Sequence, residues 1–300
     1  MGSEMCIRDR GDTYTNIQDA TGGSGNDTFV ASSVANNFDG GAGINTVSYE
    51  SSTSGVTVNL STQMVAGVAG NSGSGSYATG DTYANIQNVI GSTSSDTFIA
   101  GSAANAFTGN GGSDTVSYAA SGSAVTVNLS TGPVTPTAGG GSLAAGTGRG
   151  GDALGDTYNG ISNVTGSTFG SDEFFAHNTL VGTFDGNGGL HDRVNYTGFS
   201  SNLTINLSDK TVGGLNAGKG IVGKTGQDTY IGIHDATGGS GNDVFIAGSA
   251  ANAFDGGTGS NTVNYAASDA GVIVNLAADT RGGLTTCLLY TSPSPRDLST

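Results

Sequence analysis

Large apolar side chains recur along this chain at a step of nine residues. Phe29, Phe38 and Val47 form one series, Phe98, Phe107 and Val116 a second, and Phe245, Phe254 and Val263 a third. In a looser series Phe174, Phe184 and Val194 stand ten apart. Apolar–polar alternation appears in V-x-V-N-L stretches at 56–60, 125–129 and 272–276, and in the related segment 203–207. Alternation of this kind predicts half-buried strands, and no window keeps the 3.6-residue period of an amphipathic helix. A nine-residue step fits one short strand plus one tight turn. Successive half-coils then run on opposite sides of a flattened tube, and residues eighteen apart stack at the ~4.8 Å strand spacing. The large apolar residue of each half-coil points inward, and parallel crossovers make the coil right-handed. The expected fold class is all-β: a right-handed parallel β-roll or β-helix solenoid.

A longer period overlies the short one. G-D-T-Y stands at 11–14, 80–83 and 155–158, and Q-D-T-Y at 227–230, with the aspartates 69, 75 and 72 residues apart. Four units of about 70 residues follow: 11–79, 80–154, a divergent 155–226, and 227–286. Gly/Ser/Ala runs at 66–79 and 138–151 read as surface loops, because the repeat resumes in phase after each. The two ends depart from this composition. Residues 1–10 and 287–300 hold both cysteines, and Met5–Arg10 and Cys287–Ser292 back-translate to near reverse complements of each other. Both ends therefore resemble translated sequencing adapter and are set aside. On that reading the true termini, any secretion signal and neighbouring domains of the parent protein are missing.

Composition narrows the chemistry. With 24 acidic and 9 basic residues the formal charge is -15, which disfavours nucleic acid and anionic lipid and favours cations. High glycine with only four prolines and no three-residue period excludes collagen. No stretch is apolar enough for a membrane span. Residues 11–286 lack cysteine, so no disulfide or thiolate metal site is expected. G-x-G-x-x-G occurs at 146–151 and 218–223 without a helical pattern behind it, and reads as chance. H-E-x-x-H and G-x-S-x-G are absent, and His177, His191 and His234 are scattered. No enzyme activity is expected of this segment.

What remains is a set of glycine–aspartate turns. G-G-x-G-x-D-x-U-x, with U large and apolar, is met at every fixed position by 22–30 and 238–246. Segments 40–48 and 256–264 replace Asp by Asn, 109–117 shifts a glycine, and 91–99 keeps the first Gly, the Asp and the Phe. This pattern resembles the calcium-binding nonapeptide of RTX (repeats-in-toxin) proteins. The resemblance implies Ca2+ as cofactor, held between a turn and the one stacked on it. Calcium takes six to eight oxygens, so carbonyls of glycine turns and a carboxylate suit it. The expected ligand sets are Gly22, Gly23, Gly25 and Asp27 with Gly40, Gly41, Gly43 and Asn45; Asp96 with Asp114; Asp172 with Asp192; and Gly238, Gly239, Gly241 and Asp243 with Gly256, Gly257, Gly259 and Asn261. No pair joins two aspartates to two intact glycine turns. The middle-turn Asn36, Asn105 and Asn252 are expected to make Asx turns instead.

The function implied is a non-catalytic, calcium-binding segment of a secreted or cell-surface bacterial RTX-like protein, structural or adhesive in role. The alternative is the folding and type I secretion module of a larger RTX enzyme or toxin whose catalytic domain lies outside the segment. Calcium ions are the expected partners, with surface carbohydrate or another protein as further candidates. Nucleic acid is not expected. The expected location is extracellular.

Overall fold

The computed structural model describes residues 14–276, apart from Thr225 and Asn275. The adapter-like ends, landmark residues 11–13 and the tail of the fourth unit from 277 lie outside the described residues.

Each half-coil forms a strand of about three residues whose middle side chain points inward. Phe38, Val47, Phe98, Phe107, Val116, Phe174, Phe184, Val194 and Phe245 are all buried in one continuous core. Facing aromatic rings stack across the tube, as in Phe98–Phe107 at 5.5 Å and 5° and Phe245–Phe254 at 5.1 Å and 28°. The strands build two sheets, one of fourteen and one of eleven. Within a unit the pairing is parallel and eighteen residues apart, for example Thr28↔Thr46 and Thr97↔Thr115. In the third unit the offset is twenty, with Glu173↔Arg193. A rung-by-rung parallel solenoid is therefore the architecture. No α-helix occurs among the described residues.

The register does not simply advance, however. After Thr46–Ser48 the next strand, Thr57–Asn59, leaves an interval beside Asn37–Asp39 and pairs ahead with Thr97–Ile99. The chain then turns back through the antiparallel strand Ser72–Ser74 and fills the interval with Thr82–Ala84, which stacks on Asn37–Asp39. The second unit repeats this stitch with Thr126–Asn128, Thr147–Arg149 and Thr157–Asn159. The third does so with Thr204–Asn206, Lys219–Ile221 and Gln227–Ile231. The stitches of the first and third units lie in the larger sheet and that of the second in the smaller one. The Gly/Ser/Ala runs at 66–79 and 138–151 are thus not plain surface loops. Each carries a core-lining antiparallel strand and leads into a short 3-10 turn with a buried alanine, Ala78 or Ala153. The G-x-G-x-x-G matches at 146–151 and 218–223 fall on these return strands.

Two recurring motifs hold a stitch shut. The Asn that ends the first three V-x-V-N-L-type strands, Asn59, Asn128 and Asn206, is fully buried and its amide gathers the following loop. Asn59 Nδ2 donates to Gln63, Val68 and Ala69 carbonyls at 2.8, 3.1 and 3.0 Å, while its Oδ1 accepts from the Ser61 amide and hydroxyl at 2.9 and 2.7 Å. Asn128 and Asn206 do the same. The N-L-S triplets at 59–61, 128–130 and 206–208 are therefore strand and turn residues whose Asn and Ser side chains are buried. The second motif joins the Tyr that ends T-V-S-Y at 46–49 and 115–118, or R-V-N-Y at 193–196, to the next D-T-Y. Tyr49 Oη donates to Asp81 Oδ2 at 2.6 Å and meets Tyr83 Oη at 2.5 Å. Tyr118–Asp156–Tyr158 and Tyr196–Asp228–Tyr230 repeat the cluster.

The tyrosine hydroxyl of D-T-Y lies against the return strand, where only a glycine fits. A Cβ on Gly148 would collide with Tyr158 Oη and stand 2.6 Å from the Ala153 carbonyl. Gly148→Ala is expected to destabilise the chain by about 2–3 kcal/mol, read as a lower urea midpoint with unchanged m-value. An unchanged midpoint would mean that the hydroxyl does not sit in this notch.

Candidate calcium-binding turn stacks

The four predicted turn pairs are assembled as the eighteen- and twenty-residue offsets require. They alternate between the two flanks of the tube. Turns 22–27 and 40–45, and later 166–172 and 186–192, lead from the larger sheet to the smaller. Turns 91–96 and 109–114, and 238–243 and 256–261, lead back. The alternation follows from the stitches, which shift each unit to the other sheet.

In every pair one bond recurs. The backbone amide of the first aspartate donates to the side-chain oxygen stacked on it: Asp27 N to Asn45 Oδ1 at 2.9 Å, Asp96 N to Asp114 Oδ1 at 2.7 Å, Asp172 N to Asp192 Oδ1 at 2.8 Å, and Asp243 N to Asn261 Oδ1 at 2.9 Å. The first aspartate's own carboxylate is also engaged. Asp96 accepts from Val56 N at 2.8 Å and Ser92 N at 2.7 Å. Asp172 accepts from Val125 N at 2.7 Å and Ser167 N at 2.8 Å, and Asp243 from Leu203 N and Gly239 N, both at 2.9 Å. Each of these carboxylates thereby caps the V-x-V-N-L strand of the preceding unit. Asp27 Oδ2 accepts from Gly23 N at 2.8 Å.

The glycines serve close stacking. Gly41 has φ 67° and Gly43 φ 95°, the left-handed region where a side chain is strained, and their Cα atoms lie against the Gly23 and Gly25 carbonyls. Gly257 and Gly259 repeat these angles and contacts over Gly239 and Gly241. Gly22, Gly40, Gly238 and Gly256 pack on the side chain of their own turn's Asp or Asn. Carbonyls thus line the turns, some already bonded: Ala42 N donates to Gly23 O at 3.0 Å and Thr258 N to Gly239 O at 3.1 Å.

The pairs differ at the second member. Asn45 is fully buried, and its amide donates to the Asn85 carbonyl at 2.9 Å. In the two Asp–Asp pairs the same place is taken by a carboxylate oxygen, which has no hydrogen to give. Asp114 Oδ2 and Asp192 Oδ2 are buried and have no hydrogen-bond partner. Asp192 Oδ2 and the Gly232 carbonyl both crowd the Cα of Gly186, just as Asn45 Nδ2 and the Asn85 carbonyl crowd Gly40. An oxygen in that position needs either a proton or a cation. Burial pushes the Asp114 carboxyl up to about 6, with the Asp96 charge adding to it. Burial likewise lifts Asp172 to about 7, helped by Asp192, and raises Asp96 and Asp192. Bare like charges a rung apart, partly neutralised by protons, suit an oxygen-seeking divalent ion.

The asparagines of the middle turns do not form the expected Asx turns; each side-chain oxygen reaches back to the amide four residues upstream, as Asp27 does to Gly23. Asn36, Asn105 and Asn252 accept from Ser32 N, Gly101 N and Gly248 N at 3.0, 3.1 and 3.0 Å. Among the described residues no three His, Cys, Asp or Glu side chains converge as a metal cluster. Any ion here would lean on backbone carbonyls.

Residues 20–48, 87–120 and 235–264 match the family model of the RTX calcium-binding nonapeptide repeat, in four copies. These stretches contain the first, second and fourth turn pairs; Asp172 and Asp192 lie outside them. Over 98 residues the chain is 34% identical to the metallopeptidase AprA of Pseudomonas marginalis. That similarity covers 33% of this chain and 20% of that protein, so the chain spans about a fifth of its relative. In these stretches the chain carries RTX-type calcium-binding nonapeptide repeats, set on a stitched parallel β-solenoid.

Proposed function

We propose that this chain is a calcium-stabilised structural module of a secreted or cell-surface bacterial protein, without catalytic residues of its own. The carrying observation is the pair of buried, unpartnered carboxylate oxygens of Asp114 and Asp192. Calcium there would be held by the Asp–Asp pairs together with turn carbonyls, and its charge would offset the repulsion between stacked carboxylates. Pairs one and four have the fuller glycine turns, but their Asn45 and Asn261 amides already donate to carbonyls. They are expected to bind more weakly, since fewer charged ligands weaken a calcium site. Binding only to the folded chain stabilises it. The net charge of -15 and the millimolar calcium found outside the cell fit an extracellular setting. No helix among the described residues is long and apolar enough to cross a membrane.

One observation favours a second reading. The similarity to a metallopeptidase spans only a third of this chain. A folding and secretion module attached to a catalytic domain would show such a match. An adhesive module facing surface carbohydrate or another protein is the other form of the first reading, and glycan-array binding would separate the two.

The test is thermal unfolding followed by circular dichroism, in millimolar calcium and in chelator. Calcium is expected to raise the midpoint by about 10 °C or more. Superimposable curves would remove calcium from the account.

A further inference from the structure

The Tyr–Asp–Tyr clusters that close the three stitches share one geometry and differ in one charged position. In each, the aspartate is fully buried and accepts from a tyrosine hydroxyl and a backbone amide. Asp81 takes Tyr49 and Asn36 N, Asp156 takes Tyr118 and Asn105 N, and Asp228 takes Tyr196 and Gly182 N. The second tyrosine, Tyr83, Tyr158 or Tyr230, completes the set. Four residues before the aspartate, the return turn presents Tyr77 in the first stitch, Asp152 in the second and Lys224 in the third.

Lys224 is wholly buried. Its Nζ bonds both oxygens of Asp228, at 3.1 and 2.8 Å, and lies 5.9 and 5.6 Å from the Tyr196 and Phe199 ring centres. The third stitch therefore seals its carboxylate with a cation. The second places a further carboxylate in the corresponding position. The first offers only a phenol, packed against the core.

We infer that the stitches form a graded set of acid-responsive closures, in which the second loosens as pH rises through neutrality while Lys224 holds the third closed. The charged and titratable groups facing Asp156 are Asp152, Tyr118 and Tyr158, and among the described residues no cation pairs with it. Those facing Asp228 are Lys224, Tyr196 and Tyr230, and the Lys224 charge in turn disfavours protonation of His177. Burial lifts the Asp156 carboxyl to about 7, and the Asp152 charge adds to this. The sign follows from linkage. A carboxyl raised in the folded state contributes stability that is complete below its ordinary value and is lost as pH climbs through the raised one. Burial also raises the Asp81 carboxyl, with no neighbouring charge of either sign. None of this depends on calcium.

Hydrogen exchange of the full chain, corrected for intrinsic rates, reads the closures one by one. Amide protection in Thr147–Arg149 is expected to be on the order of tenfold lower at about pH 8 than at about pH 5.5, in calcium and in chelator alike. Protection in Lys219–Ile221 should change less than about twofold. Asp152→Lys should abolish the response of the second stitch, and Lys224→Asp should transfer one to the third. Equal pH responses of the two return strands in the unaltered chain would overturn the inference, whether or not the variants fold. So would exchanged charges that leave the responses where they were.

Discussion

Phe174→Ala is expected to cost about 3–5 kcal/mol of folding stability. The ring is fully buried and pairs in register between Val127 below and Val194 above. It stacks on Phe184 at 6.2 Å and 20°, and its tip reaches the Cα of Gly166. Each strand sends one large side chain into the narrow core, so a neighbour can close over the cavity only by shifting its own strand. A loss of that size is a large share of the 5–15 kcal/mol typical of a domain. Units touch only their neighbours, so the defect should also split the unfolding transition near the third unit. Urea unfolding followed by tyrosine fluorescence and by circular dichroism should give non-coincident curves for the variant. A single transition within about 1 kcal/mol of the parent would show that the core adjusts more freely than a close-packed interior does.

The second large effect changes sign with calcium. Without metal, Asp114 and Asp192 each bury an oxygen that lacks a hydrogen-bond partner. Because the Asp114 carboxyl stands near 6 in the fold, its contribution is complete below the ordinary carboxylate value of 3.8 and is lost as pH rises past 6. That loss amounts to about 3 kcal/mol at pH 8. Asp114→Asn removes it, and the new amide can donate as that of Asn45 does. The metal-free variant should therefore be more stable than the parent at pH 8 and equal to it near pH 4. In saturating calcium the order should reverse, because the variant has lost a charged ligand. Guanidinium titrations at the two pH values, with calcium and with chelator, check all four corners.

Much of this architecture is legible in the chain. The nine-residue apolar step places Phe38, Phe98, Phe174 and Phe245 in the core. The eighteen-residue offset gives the register that brings Asp27 over Asn45 and Asp96 over Asp114. The stitches are not legible, for a physical reason. Ser72–Ser74 and Thr147–Arg149 need glycine in mid-strand, because a tyrosine hydroxyl fills the place of the side chain. Glycine and serine then mask the strand signal and the segment reads as loop. The D-T-Y landmark is visible by repetition alone, but its role depends on Tyr49, Tyr118 and Tyr196, which lie 32, 38 and 32 residues upstream of its aspartate. The distinction among turn pairs is hidden for the same reason. The carbonyl that receives the Asn45 amide belongs to Asn85, on a rung that arrives forty residues later and out of order.

Isothermal titration of calcium into residues 11–286, compared with the Asp114→Asn/Asp192→Asn variant at the same pH, asks whether the Asp–Asp turn pairs hold the ion. The unaltered chain is expected to take up at least two calcium ions at the tightest class of sites, and the variant to lose that class while keeping its β-sheet circular dichroism. A folded variant with the parent's full tight binding would contradict that expectation.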